Sequence, residues 1–343
     1  EAISNGQDPF YTRLLYYPNG ISLTTHNIAW FNAFLWIPLQ ALLGGFTATN
    51  LIYIGLFALN GFAMYLLVRQ LTGSQPAAFI GGLIFAFWPY LMSQAGHPNM
   101  IVVFWLPLAL YFLNRTLENK RILDAVLTGV FLAIGGIGRW QLLIVGGILF
   151  GLYLLYSCLS EAHCRTKRML MLLLLTGLVA VLLMAPFAIP IVATLPTIAL
   201  SDELFREPGR TADALGYIVP NLTLTVWGSL LNGLPERLQY THDQMEFIGI
   251  TTLVLAIYGS VTKWKTARFW VSMVLVYLVL ALGSVLEFGD VRYPQVLMPY
   301  RLVEDLFFFR ILQASHRFNT FLGLPVAMLV ALGVANLLSQ LRN

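Results

Sequence analysis

Long apolar runs, almost free of charged residues, follow one another along nearly the whole chain. The hydrocarbon core of a bilayer is about 30 Å thick, and a helix needs about 20 apolar residues to cross it. Because lipid cannot satisfy backbone polar groups, runs of this kind cross as helices. They occupy about residues 50–68, 77–92, 100–114, 123–137, 140–160, 169–194, 247–262, 267–286 and 318–340. The pattern predicts an all-α, polytopic transmembrane helix bundle of about nine spans.

The composition excludes the main soluble classes. Hydrophobic residues make up 58% of the 343 residues and charged residues only 10%, whereas soluble domains carry about 25% charged residues. The mean hydropathy is +0.74. A soluble globular enzyme and a disordered chain are therefore excluded. The two cysteines, Cys158 and Cys164, do not form the pattern of a disulfide framework.

The distribution of charge predicts the orientation of the bundle. If the first 50 residues lie on one side, the opposite side carries 11 of the 20 basic residues but only three of the 16 acids. Because basic residues are concentrated in cytoplasmic loops, we expect this second side to be cytoplasmic. It comprises loops 69–76, 115–122, 161–168 and 263–268 and the C-terminus.

One further apolar segment, residues 28–43, is interrupted by Asn32, Pro38 and Gln40. We interpret it as a non-spanning interfacial or re-entrant helix, which suits its content of Trp and Pro. If it spanned instead, the N-terminal segment would lie in the cytoplasm, and no later loop would change sides.

The whole chain, 1–343, is interpreted as a single integral membrane domain without internal repeats. Residues 1–49 form an external N-terminal loop that contains the interfacial helix, and 195–246 and 287–317 are external loops. Four of the five histidines fall on this external side: His26, His97, His242 and His316. We therefore expect the function to reside at the external membrane boundary.

Several short motifs occur in a characteristic order. They are Asp8-Pro9-Phe10-Tyr11-Thr12, Tyr16-Tyr17-Pro18-Asn19-Gly20, His26-Asn27, Trp88-Pro89-Tyr90, His97-Pro98-Asn99, Met298-Pro299-Tyr300 and Ser315-His316-Arg317-Phe318. Each motif is weak alone. Their order over nearly the whole chain resembles the GT-C-type integral membrane glycosyltransferases, and within them the bacterial enzymes that depend on polyprenyl-phosphate sugars.

The resemblance implies an inverting enzyme of the bacterial plasma membrane. Such enzymes transfer a hexosyl or pentosyl group from a polyprenyl-phosphate donor to an acceptor at the external face. Their first external loop, just after the first span, carries an acidic catalytic residue. The present sequence begins inside that loop, so we expect it to be N-terminally incomplete. Asp8 comes after the expected position of this acid in the sequence, so it does not match that position.

The proposed transfer needs a carboxylate that deprotonates the acceptor hydroxyl. Asp8 and Glu246 are the candidate catalytic residues, although Asp8 also fits an Asp-Pro turn and Glu246 a polar rim. Asp202 and Glu203 are weaker candidates on the acceptor side. No cofactor is certain. His242, Asp243 and Glu246 offer ligands for a divalent cation, but their spacing is not a recognised metal signature.

The leaving lipid phosphate needs cationic or hydrogen-bonding partners. Arg139 lies between two apolar runs, where a charge is costly and usually functional; the alternative is that it reaches the headgroups. The other candidate substrate-binding residues are His97, Asn99, His316 and Arg317, with ordinary interfacial contacts as the alternative. Arg310 precedes Arg317 by seven positions, so a helix would place both on one face.

The function hypotheses belong to three classes. The first is the lipid-linked glycosyltransferase, whose partners are a polyprenyl-phosphate sugar and membrane lipid. The second is a non-catalytic membrane subunit with protein partners in a larger complex. A lipid or solute transporter ranks third, because such proteins often contain internal repeats and this sequence has none. The sequence has no nucleotide-binding motif and no nucleic-acid-binding feature, so we expect no nucleic-acid partner.

Overall fold

The structure, a computed structural model, describes residues 5–24, 29–160, 166–194, 211–220, 245–289, 291–312 and 314–342. These residues are mostly helical. The helices are α1 (Trp30–Leu43), α2 (Gly45–Thr72), α3 (Gln75–Ala86), α4 (Pro89–Ser93), α5 (Trp105–Asn119), α6 (Ile122–Ser160), α7 (Lys167–Thr194), α8 (Ile250–Thr262), α9 (Trp264–Ala281), α10 (Phe307–Leu312) and α11 (Asn319–Arg342). Short 3-10 helices are Leu215–Tyr217, Pro299–Leu302 and Ser315–Phe318. Two antiparallel hairpins pair β1 (Tyr11–Thr12) with β2 (Ile21–Ser22) and β3 (Leu286–Phe288) with β4 (Val291–Tyr293).

Six helical segments in the described part of the chain are long and apolar enough to cross a membrane. They are α2, α3 together with α4, α6, α7, α9 and the segment that contains α11. The chain is therefore a multi-pass membrane protein. Helices α5 and α8, which we expected to span, have 15 and 13 residues. The six segments confirm a transmembrane helix bundle but not the predicted nine spans.

Helix α6 does not run straight. Its 39 residues would measure about 58 Å as one helix, but Arg139 has non-helical backbone angles, with φ −164° and ψ 107°. The Tyr153 hydroxyl in the second half donates to Oδ1 of Asn114, at 2.8 Å. In the first half, Asp124 lies 2.9 Å from Nε of Arg115. Because Asn114 and Arg115 are adjacent in α5, both halves of α6 contact the same part of α5.

A straight helix would separate Asp124 from Tyr153 by about 44 Å, so the chain must reverse its direction at Arg139. The first arm of α6 is 122–138 and the second is 140–160. These arms correspond to two separate apolar runs in the sequence.

The side chain of Trp105 lies between the two arms. A Cβ atom on Gly135 in the first arm would lie 2.6 Å from the indole ring, and one on Gly146 in the second arm 2.5 Å from it. Trp105 is fully buried and packs edge-on against Phe321 of α11. Glycine in both arms therefore allows the hairpin to close around the indole.

Helix α1 lies antiparallel to the beginning of α2. Its 14 residues include Pro38, and Nε1 of Trp36 donates to the hydroxyl of Thr49, at 3.1 Å. The side-chain amide of Asn32 donates to the Pro98 carbonyl, at 2.8 Å. The helix is too short to cross a bilayer unaided, as the non-spanning interpretation requires.

The basic loops share one end of the bundle, which we call the basic end. Nη2 of Arg168 donates to the Lys120 carbonyl, at 3.1 Å, and Nε of Arg268 donates to the Tyr156 hydroxyl, at 3.4 Å. The reversal at Arg139 lies at the opposite end, called the site end, with segments 94–104, 211–220 and 314–319. These contacts bring basic loops together at one end, and the side of the membrane on which this end lies stays a prediction.

Neighbouring glycines of the second arm test the packing around Trp105. Gly146→Ala should lower the stability of the purified protein by about 1–3 kcal/mol, because its methyl group overlaps the buried indole. Gly147→Ala meets no atom within 4 Å and should be neutral or stabilising. Thermal unfolding in detergent measures both. Equal effects would show that Trp105 is not held between the arms.

Candidate functional site

Polar side chains converge at the site end from segments that are far apart in sequence; all of them are buried except Arg317, which is half-buried. We call the following residues the polar cluster: Tyr90, Asn99, Arg139, Gln141, Tyr217, Glu246, His316, Arg317 and Asn319. All of them lie inside a membrane protein where polar groups are costly unless they are hydrogen-bonded. Their mutual contacts therefore define the chemistry of the site.

Arg139 is 8% exposed at the reversal of α6. Its Nη1 donates to Oδ1 of Asn99 and its Nε to Oε1 of Gln141, each at 3.0 Å. Both partners are neutral carboxamides, and Arg139 forms no ion pair with any described residue. A guanidinium has five N–H donors, so these two bonds use only part of the donor capacity of Arg139.

Arg317 adds a second positive charge to the cluster. It acts electrostatically on Arg139 and, like Arg139, on the Tyr90 phenol. Its Nη1 also donates to the carbonyl of Leu312, the last residue of α10. Two cations in one water-poor site attract an anion strongly.

Tyr90 connects the beginning of α4 to the segment before α11. Its hydroxyl lies 2.7 Å from Nδ1 of His316. Two positions earlier, Nε1 of Trp88 donates to the Asn319 carbonyl, at 2.8 Å. Pro89 between them is the first residue of α4, a position for which its fixed φ is suited. The hydrogen bond from Trp88 to Asn319 therefore brings the start of α4 against the start of α11, and the Tyr90 hydroxyl lies beside His316.

Glu246 is the buried acid of the cluster and is 2% exposed. Its charge acts on the phenols of both Tyr90 and Tyr217. Burial raises the pKa of Tyr217 well above its usual value, and the Glu246 carboxylate raises that pKa further. The Tyr217 hydroxyl therefore stays protonated and donates to Oδ1 of Asn319, at 2.6 Å.

Backbone contacts hold Tyr217 and Glu246 in place. The Ile248 N–H donates to the Tyr217 carbonyl, at 3.3 Å. Asp213 is fully buried, and its Oδ1 accepts the N–H groups of Leu215, at 2.7 Å, and Gly289, at 3.0 Å. The Asp213 carboxylate thus ties the 3-10 helix of Tyr217 to the β3–β4 turn.

An apolar pocket lies beside Arg139. Its wall includes Phe10, Trp30, Phe187 and Ile191, and the rings of Trp30 and Phe187 are 5.5 Å apart. A shallow groove along α7 adjoins this region and is lined by Val181, Met184, Ala185, Ala188, Ile189, Val192 and Ala193. The guanidinium therefore contacts polar groups of the cluster and also lines an apolar surface.

Five candidate residues from the sequence meet in the polar cluster: Asn99, Arg139, Glu246, His316 and Arg317. Their roles stay predictions, but their proximity is a property of the fold. It could not be read from positions that are up to 218 apart in the numbering.

The two other candidates lie elsewhere. His97 is exposed, in a turn where its backbone N–H donates to the Gln94 carbonyl, at 2.8 Å. Asp8 is also exposed, and its Oδ1 accepts the Phe10 N–H, at 2.8 Å. This is the geometry of the Asp-Pro turn that we gave as the alternative. No contact in the described residues joins Asp8 to the polar cluster.

The expected pairing of Arg310 and Arg317 on one helix face is wrong. Helix α10 ends at Leu312, and a separate 3-10 helix begins at Ser315, so no continuous helix carries both arginines. The seven-residue spacing consequently does not align their side chains.

Several weaker candidates lie outside the described residues: His26, Asp202, Glu203, His242 and Asp243. The possible cation site at His242, Asp243 and Glu246 is therefore represented by Glu246 alone. Among the residues that the structure does describe, no group of three or more His, Cys, Asp or Glu side chains could hold a metal ion.

Sequence reasoning missed four members of the cluster. Gln141 lies two positions after Arg139, and Tyr90 ends the Trp88-Pro89-Tyr90 motif, so both carried a usable signal. Asn319 is the first polar residue of the last helix, which is a weaker signal. Tyr217 lies in an ordinary loop sequence, and only its buried hydrogen bond marks it.

The model of one family, described as Domain of unknown function (DUF6311), matches residues 5–343. The chain belongs to the DUF6311 family. No curated protein and no solved structure matches it. Because the DUF6311 match includes every member of the polar cluster, the cluster lies within the family domain itself.

Two aspartates of this DUF6311 domain can be compared directly. The side chains of Asp213 and Asp8 both accept backbone N–H groups, but Asp213 is buried and Asp8 is exposed. Asp213→Ala should lower stability by about 1–3 kcal/mol, because it leaves buried backbone N–H groups without an acceptor. Asp8→Ala removes an acceptor at the surface and should change stability by less than about 0.5 kcal/mol. Thermal unfolding gives the stability, and hydrogen exchange over 211–220 reports the local effect. Unchanged protection in Asp213→Ala would contradict its anchoring role.

Proposed function

We propose that this protein is a membrane glycosyltransferase with a GT-C-like fold. It moves a sugar from a polyprenyl-phosphate donor to an acceptor at the external face of the bacterial plasma membrane. The observation that carries the proposal is the combination of the buried Arg139 and Glu246 with the half-buried Arg317, beside an apolar pocket and an open apolar groove. Orientation follows from charge: the basic end is cytoplasmic and the site end external.

The arginines match the phosphate of the donor. The remaining N–H groups of Arg139 can donate the charge-assisted hydrogen bonds that phosphate oxygens accept. The positive charge of Arg317 adds to the attraction. Asn99 and Gln141 hold the Arg139 guanidinium from two directions, so its orientation is fixed before the ligand binds. Such fixed donors stabilise a developing negative charge at low cost in reorganisation.

The apolar surface matches the lipid tail. The pocket beside Arg139 is lined by Trp30, Phe187 and Ile191, and the groove along α7 adjoins it. The pocket has a volume of only about 20 Å³, so a prenyl chain would lie in the groove, which offers about 480 Å³. Its phosphate would then point towards the guanidinium, and its hydrocarbon would lie against apolar side chains and lipid.

Glu246 is the base in this mechanism. Its carboxylate accepts the proton of the acceptor hydroxyl, and the resulting oxygen attacks the anomeric carbon of the donor sugar. The bond from that carbon to the phosphate oxygen breaks, and the phosphate leaves with the electron pair, held by Arg139 and Arg317. Because attack and departure occur on opposite faces, the configuration inverts. The position of Asp8 makes it the weaker candidate for the base.

A second candidate function is a non-catalytic membrane subunit. The observation that favours it is the depth of the cluster, since Glu246 is 2% and Arg139 8% exposed. In that role the same side chains would stabilise the bundle without meeting a substrate. The two functions differ in whether a phosphate-bearing lipid is bound.

Lipid mass spectrometry of the gently purified protein separates the two functions. Wild-type protein should carry a polyprenyl phosphate or its glycosylated form in stoichiometric amount, and Arg139→Gln should lose it. Glu246→Gln should keep the lipid but lose transfer by about a hundredfold or more, the usual contribution of a general base. Asp8→Asn should transfer within about twofold of wild type. Only bulk phospholipid in the wild type, with other proteins persistently co-purifying, would favour the subunit.

The orientation is testable with single cysteines in a variant that lacks Cys158 and Cys164. Asn19→Cys at the site end should react with a membrane-impermeant maleimide in intact cells, because the positive-inside pattern places it outside. Glu118→Cys at the basic end should react only after permeabilisation. Both positions are exposed, so access to solvent does not distinguish them. The reverse labelling pattern would invert the bundle and contradict an external site.

A further inference from the structure

The side-chain amide of Asn319 has a hydrogen-bond partner at its oxygen but not at its nitrogen. The protonated Tyr217 hydroxyl donates to its Oδ1, at 2.6 Å, and Trp88 donates to its backbone carbonyl, at 2.8 Å. Asn319 is 1% exposed. Because Oδ1 faces Tyr217, the side-chain NH2 group must point away from that phenol.

The NH2 group of Asn319 has no hydrogen-bond partner within the described parts of the chain. Other buried asparagines differ: the NH2 groups of Asn32 and Asn60 donate to backbone carbonyls, and that of Asn336 donates to the Tyr258 hydroxyl, at 3.0 Å. A buried donor without an acceptor is uncommon in native proteins. Among the described residues, Nε1 of Trp105 is another, but it lies between the packed arms of α6. The Asn319 amide lies in the polar cluster, where a ligand can supply the acceptor.

The surroundings of this donor indicate the chemistry of its acceptor. Tyr217 contacts Asn319 directly and interacts with the Glu246 carboxylate. A hydroxyl group has the matching pattern, since it accepts one hydrogen bond and donates another. A ligand hydroxyl that reaches both groups would accept from the Asn319 amide and donate to the Glu246 carboxylate.

We infer that Asn319 is a sugar-binding residue that accommodates a hydroxyl group of the transferred sugar or of its acceptor. The inference rests on the proposed function and extends it, because it assigns the neutral sugar to Asn319 and the phosphate to Arg139. Asn319 then contributes to selectivity for a glycosylated lipid over the bare lipid phosphate, since a site built around a hydroxyl rejects a ligand that lacks it.

Native mass spectrometry of the full-length protein tests this division. The probes are undecaprenyl phosphate and its glucose, mannose and arabinose esters. Wild-type protein should bind at least one glycosylated probe more tightly than undecaprenyl phosphate. Asn319→Asp keeps an acceptor for Tyr217 and removes the donor, so it should weaken binding of that probe by about tenfold. Its affinity for undecaprenyl phosphate should stay within about twofold of wild type.

Asn336→Asp is the matched control, because it removes the same NH2 group from the same helix at the basic end. It should bind all probes as the wild type does. Asn319→Leu repeats the test without adding a carboxylate, and thermal unfolding confirms that each variant is folded.

The possible failures are distinguishable. If Asn319→Asp weakens all probes equally, or none, Asn319 does not bind sugar and the inference is overturned while the proposed function stands. The same holds if no glycosylated probe binds more tightly than undecaprenyl phosphate. If undecaprenyl phosphate does not bind, or if Arg139→Gln does not weaken it, the proposed function itself is overturned together with the inference.

Discussion

The reversal of α6 at Arg139 is the feature on which the rest of the site depends. It converts one helix of 39 residues into two arms that enclose Trp105 and leave a charged side chain at their turn. The arms can close only because Gly135 and Gly146 leave room for the indole. Packing inside the bundle therefore fixes the depth and direction of the Arg139 guanidinium.

A buried charge needs partners, and the arrangement of these partners gives the site its chemistry. Removing a cation from water costs several kcal/mol unless polar groups compensate. Asn99 and Gln141 compensate Arg139 in part but are neutral, so they do not cancel its positive charge. The acid Glu246 acts on the phenols of Tyr90 and Tyr217, and both arginines also act on the Tyr90 phenol. The cluster thus combines two cations with one carboxylate, which suits the proposed reaction, in which a phosphate leaves while a hydroxyl is deprotonated.

The sequence predicted the helical class, the grouping of loops at two ends and five members of the polar cluster. Arg139 was predictable because an isolated charge between apolar runs stands out against its surroundings. Asp8 and His97 were chosen from motif positions, and the structure places both at the surface. Arg310 and Arg317 were aligned by assuming a continuous helix, which ends at Leu312. Tyr217 and Asn319 were missed because nothing in their local sequence marks a hydrogen bond between residues 102 positions apart.

The sequence by itself determined that this chain is a multi-pass helical membrane protein with basic loops on one side, because hydropathy and charge act locally and can be read along the chain. Only the tertiary structure decided which polar residues meet. Their proximity depends on the glycine contacts with Trp105, on the Asp213 carboxylate that anchors Tyr217, and on the hydrogen bond from Trp88 to α11. Such contacts join distant segments, and their geometry follows from packing in three dimensions rather than from local residue patterns.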